Sequence, residues 1–185
     1  MRGGAILIAV VYLSAAHPSP AAAQDTVSQR QDTARKDSLP PPPPPTPAQE
    51  RYANGLRHTS RGIAQLKDGL ERVARTRSTS DSVKQRTAGR RLGGLCAAAR
   101  GFMASGRAQM LPTAYDPPTR TVARQLAQQI DSLIAYAPTC ERTAARRPRP
   151  VADRLIDLLR KYEAAVASWR AAVGLPNRGE PSNKP

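Results

Sequence analysis

Between Val151 and Val173 one series of apolar positions is Leu155, Leu159, Tyr162, Val166, Trp169 and Val173. The steps between them run 4, 3, 4, 3, 4, the spacing of a helix that buries one stripe along a seam. A helix of this kind must be covered by partners. Its end is signed as clearly as its face. Gly174 can take the left-handed position just past the helix, Leu175 can make the accompanying apolar contact, and Pro176 blocks continuation.

Three further segments upstream carry matching faces. The first opens at Thr46-Pro47-Ala48-Gln49, where Thr46 fits an N-cap, Pro47 the first helical position and Gln49 a capping box. Its seam runs Tyr52, Leu56, Thr59, Ile63, Leu66, Leu70, Val73, and Ser78-Thr79-Ser80 reads as the turn after it. The second spans about Asp81 to Met110, with Leu92, Leu95, Cys96, Ala99, Phe102, Met103 and Met110 on one face. Gly89, Gly93, Gly94, Gly101 and Gly106 interrupt it, each costing about 1 kcal/mol relative to Ala, which predicts close helix contact or a bend near Gly93-Gly94. Arg90 and Arg91 inside the Gly89–Gly93 spacing exclude a membrane dimerisation motif. The third opens at Asp116-Pro117-Pro118, buries Val122, Leu126, Ile130, Leu133 and Ala137, and is expected to end at Pro138. A loop from Thr139 to Pro150 then leads into the last helix. Short connections make neighbours antiparallel, so the expected fold is all-α, an up-down-up-down four-helix bundle over residues 46–175.

The N-terminus is expected to be a targeting segment, residues 1–23. Met1-Arg2 supplies a short positive start, Ala5 to Ala16 an apolar run, and Ala21-Ala22-Ala23 a small-residue cleavage site, with cleavage predicted after Ala23. The apolar run is too short to span a bilayer, and arginines break every later one. The mature chain is therefore expected in a periplasmic or secreted location. Residues 24–45 read as a disordered Pro-rich linker, with a polyproline II spacer at Pro40–Pro45. Residues 176–185 read as a polar, disordered tail.

Two cysteines in an exported chain suggest one disulfide, Cys96 to Cys140. With the third helix ending at Pro138, the bond requires the chain to double back slightly. The closed loop would be worth about 4 kcal/mol on the chain-entropy model.

No catalytic constellation stands out, and the chain is not expected to be an enzyme. His58 lacks the company that metal ligation needs, and there is no Cys-x-x-Cys, Gly-x-Ser-x-Gly or phosphate-binding loop, so no metal or cofactor is expected. Asp153 and Asp157 sit four apart near the start of the last helix. They are read as complements to its dipole, with Asp157 also pairing to Lys161.

Charge placement is the one pointed signal. The chain has 29 Lys+Arg against 14 Asp+Glu, a formal +15. Between Asp81 and Asp116 no acid occurs. In an up-down bundle the turn after the first helix and the connection before the last lie at one end. Arg72, Arg75, Arg77, Lys84, Arg86, Arg90, Arg91, Arg142, Arg146, Arg147 and Arg149 should therefore share a basic pole. Such a pole suits an envelope polyanion or anionic lipid headgroups. Sequence-specific nucleic-acid recognition is disfavoured because no stacking aromatics interleave with these arginines. The plainer reading is a solvated face in an Arg-biased composition. The opposite pole should be apolar, gathering Tyr52, Phe102, Met103, Met110 and Trp169, with Tyr115 near them.

Three roles follow in order of expectation. The first is an exported, non-enzymatic binding or structural protein of the cell envelope, with an envelope protein as its partner. The second is a polyanion-binding module using the basic pole. The third is a carrier of a small apolar ligand in the bundle core.

Overall fold

The computed structural model describes residues 44–176. The expected signal peptide, nearly all of the linker and the tail from residue 177 lie outside the described residues. Within them the chain forms four helices and no strand: α1 (Pro47–Arg75), α2 (Ser82–Gln109), α3 (Pro117–Thr143) and α4 (Pro148–Ala172). A single 3-10 turn, Pro112–Ala114, bridges α2 and α3.

The caps explain where α1 and α2 begin. The Thr46 hydroxyl accepts from the Gln49 amide at 3.3 Å, and the Gln49 side chain accepts from the Thr46 amide at 2.8 Å. Asp81 accepts from the amides of Val83 and Lys84 at 2.9 and 3.0 Å. These two amides, Lys84 first, hold its carboxyl below the usual carboxylate range. Gly174 closes α4 at φ 72°, and the Leu175 amide reaches back to the Arg170 carbonyl at 2.8 Å. Leu175 itself is 45% exposed.

The seams pack in part as their periods require, with Leu56, Leu70, Leu95, Val122, Val166 and Val173 only half-buried. Leu66, Leu92, Met103, Leu126, Ile130, Leu133 and Leu155 are fully buried in one continuous core. Fully burying such a side chain contributes about 1.5–3 kcal/mol. Helix directions follow from contacts at the two ends. At one end the Arg149 guanidinium, at the start of α4, donates to the Arg77 carbonyl at 2.9 Å, just past α1. At the other, rings from α1, the α2–α3 connection and α4 meet: Tyr52, Tyr115 and Trp169. All sequence-adjacent helices are therefore antiparallel.

Glycine lets α1 and α2 approach closely along their length. Gly55, Gly62 and Gly69 recur every seven residues on α1 and all are buried. A Cβ on Gly55 would lie 2.5 Å from the Gly106 carbonyl oxygen, and one on Gly62 would lie 2.7 Å from the Ala99 carbonyl oxygen. One on Gly69 would meet Leu92 at 2.7 Å. Each seven-residue step along α1 is matched by seven residues back along α2, so a straight antiparallel register is kept over four turns. On the far side of α2, Gly89 and Gly93 admit the carbonyls of Ala144 and Glu141 from the end of α3. The close contact expected near Gly93 is thus present, whereas Gly94 faces open space.

The end of α3 departs from expectation. The helix runs through Pro138 to Thr143, and the connection shrinks to a few residues before α4 starts at Pro148. Proline inside a helix leaves the carbonyl four residues back without its amide and costs about 3 kcal/mol. The extra turn buries Cys140 and Ala144 against α2 and places Cys140 beside Cys96. Their disulfide, at a Cα–Cα distance of 6.1 Å, forms without any doubling back.

Candidate anion-binding pole

The end of the bundle formed by the α1–α2 turn and the α3–α4 connection carries the basic residues. The Gly89 contact with Ala144 and Ala145 sets the first turns of α2 directly against the end of α3. Arg90 and Arg146 are the sequence neighbours of the touching backbones, and Arg86, Arg142 and Arg147 lie within a turn of them. All five are exposed.

Ion pairing divides the predicted set. Arg75 is engaged by Glu71 and Arg77 by Asp153, while Lys84 lies 3.7 Å from Asp81 and Arg72 3.0 Å from Asp68. The hydrogen bond to Glu71 also holds the Arg75 guanidinium above its ordinary pKa. Arg149 spends a donor on the Arg77 carbonyl. Arg86 reaches only a backbone carbonyl, that of Ser82, at 3.4 Å. Arg90, Arg91, Arg142, Arg146 and Arg147 make no ion pair among the described residues. Arg91 stands apart, lining a shallow groove between α1 and α2 with Asp68, Arg72 and Leu95. One acid, Glu141, interrupts the cluster on α3 and is itself exposed. Exposed pairs contribute only about 0–1 kcal/mol each, so their loss would leave the fold standing.

The predicted apolar pole is real but smaller than expected. Tyr52 and Trp169 stack at 5.6 Å between ring centres, and Tyr115 meets Tyr52 edge-on at 5.1 Å and Trp169 at 6.3 Å. The Tyr52 hydroxyl donates to the Ala123 carbonyl at 2.9 Å. Burial pushes the Tyr52 and Tyr115 hydroxyls above the ordinary tyrosine pKa. The Trp169 indole nitrogen has no hydrogen bond of good geometry, although it interacts with the Tyr115 hydroxyl. Met110 packs beside Gly55 and Met103 beside Gly62, both fully buried. Phe102 does not join them: it is 38% exposed. Its neighbour Met103 is fully buried against Gly62, which Phe102 meets through its Cβ. The three rings fill one another's space, which makes this pole packed core.

Two pairings differ from expectation or were not foreseen. Asp157 pairs with Arg160 at 3.4 Å, one turn away, and not with Lys161. Arg107 reaches across from α2 to Asp131 on α3, with contacts at 3.0 and 3.1 Å. A groove between α3 and α4, lined by Tyr136, Arg154 and Lys161 among others, was likewise not foreseen. The seven-residue spacing of Arg154 and Lys161 was the signal that could have marked it. Among the described residues no group of three His, Cys, Asp or Glu side chains could hold a metal. No helix there is long and apolar enough to cross a membrane.

Compared with protein-family models, curated proteins and solved structures, the chain finds no match.

Proposed function

We propose that this protein is an exported, non-enzymatic helical bundle that binds a linear polyanion of the cell envelope through its basic pole. The observation that carries the reading is the cluster of exposed arginines without ion pairs, Arg90, Arg142, Arg146 and Arg147, brought to one end by the Gly89–Ala144 contact. Arginine presents a planar fork of donors to sulfate, phosphate or carboxylate groups. A cluster of such forks on rigid helix ends attracts a chain of anions through summed field and counterion release. A buried disulfide joining α2 to α3 supports export, since such bonds persist in oxidising compartments.

Retention on immobilised heparin, read as the salt concentration of elution, tests this. The triple variant R90Q/R146Q/R147Q is compared with R51Q/R57Q/R124Q, which removes the same charge from the other end of the bundle. The pole variant should elute at clearly lower salt than the control variant. Equal elution of the two would reduce the interaction to net charge and refute the pole. Vesicles containing anionic lipid form a second arm; pole-dependent binding to them alone would replace the polymer with a headgroup surface.

A further inference from the structure

A second cationic feature lies along the side of the bundle and owes nothing to the pole. Between α3 and α4 runs an open groove of about 440 Å³. Gln129, Ser132 and Tyr136 line it from α3, and Arg154, Leu158 and Lys161 from α4. This size falls within the range of small-molecule sites, about 300–1,000 Å³.

Its charges are arranged with a purpose that stability does not supply. Arg154 and Lys161 are seven residues apart, so on one face of α4 they stand roughly 10 Å apart along the axis. Neither makes an ion pair among the described residues. The nearby carboxylates are engaged elsewhere: Asp153 with Arg77, Asp157 with Arg160, Glu163 with Lys67 and Asp131 with Arg107. Because α3 and α4 are antiparallel, Tyr136 falls at the Arg154 end and Gln129 at the Lys161 end. Tyr136 and Arg154 both line this end of the groove. Each end therefore offers one cation and one neutral donor. Between them the floor is Leu158, nearly buried, with the Ser132 hydroxyl donating to the Gln128 carbonyl at 2.9 Å. The middle thus carries one leucine side chain and one hydroxyl that is already engaged, with no charge.

We propose that the α3–α4 groove binds a linear dicarboxylate, one carboxylate on Arg154 and Tyr136, the other on Lys161 and Gln129, with its methylene chain over Leu158. Binding is weak, because both cations are solvent-exposed. Removing either should weaken it about fivefold, the upper range for an exposed pair.

The probe is suberate, titrated into the full chain labelled with nitrogen-15. Saturable amide shifts should appear along residues 129–136 and 154–161. Arg154→Gln and Lys161→Gln should each weaken binding about fivefold, and R146Q/R147Q should leave it unchanged. Octanoate, of the same length with one carboxylate, should bind several-fold more weakly. Absence of saturable shifts, equal affinity for octanoate and suberate, or loss of binding in the pole variant would each overturn the proposal. Circular dichroism of the two groove variants, which change exposed side chains, confirms that any loss is not unfolding.

Discussion

Gly106→Ala is the sharpest test of how this bundle is held together. In an isolated helix the change is stabilising by about 1 kcal/mol, because alanine restricts the unfolded chain and favours the helix. Here the added methyl would lie 2.4 Å from the Gly55 carbonyl oxygen, 2.5 Å from the Thr59 hydroxyl and 2.7 Å from the Thr59 amide nitrogen. Two of these atoms are backbone and cannot turn aside. Relief requires α1 and α2 to separate by about 1 Å along their whole glycine seam, which places the cost at the upper end of overpacking, about 3 kcal/mol. The net effect is destabilisation by about 2 kcal/mol. At about 3 °C per kcal/mol for a domain of this size, the melting midpoint should fall by about 6 °C. Gly94→Ala and Gly101→Ala are internal controls on the same helix, because nothing lies within 4 Å of either added methyl. Each should raise the midpoint by about 3 °C. Thermal melts followed at 222 nm read all three. If Gly106→Ala moved the midpoint in the same direction as Gly94→Ala, the close-packed α1–α2 seam would be wrong.

Two further outcomes bear on the fold. Replacing both cysteines by serine should lower the urea midpoint by the equivalent of about 4 kcal/mol, while the native bond, fully buried, should resist mild reductant in the folded protein; equal midpoints for the two chains would show that the bridge adds nothing. The raised tyrosines set an alkaline limit. Tyr52 keeps its proton in the fold but ionises near its ordinary value of 10.0 once unfolded. Stability is therefore complete below pH 10 and declines as pH rises beyond it. Tyr52→Phe should cost about 1 kcal/mol at neutral pH through the lost bond to Ala123, and should make the alkaline decline shallower. Tyrosinate absorbance at 295 nm checks this: ordinary ionisation of Tyr52 within the folded protein would contradict the burial argument.

What could be read from sequence was whatever depends on period and local capping. The 4-3 stripe of α4 and the Thr46 box each involve neighbours in the chain, and both are present. The cysteine pair was legible because two thiols leave one intramolecular pairing. Pro138 misled because local backbone chemistry favours a stop there, while the burial gained by Cys140 and Ala144 is tertiary and has no local signature. Phe102 misled for a similar reason. Its neighbour Met103 is also apolar, and which of the two is fully buried depends on the packing of α1 against α2. The glycines of α1 went unread although their seven-residue spacing is plain, because attention to large apolar residues passes over positions defined by having no side chain. The basic pole needed only helix order. Which of its arginines are left unpaired depended on the reach of individual carboxylates across the turn.

The glycine seam also bears on how the chain acquires its structure. With three glycines in α1 and five in α2, both helices are poor at sustaining themselves alone. Each is stabilised by the other's proximity, so the pair should form in a single concerted event, a helical hairpin closed by the short turn at Ser78-Thr79-Ser80. The α3 end can settle into Gly89 and Gly93 only after α2 exists as a straight rod. On that order the cysteines should be brought together late, with oxidation joining helices that packing has already set side by side.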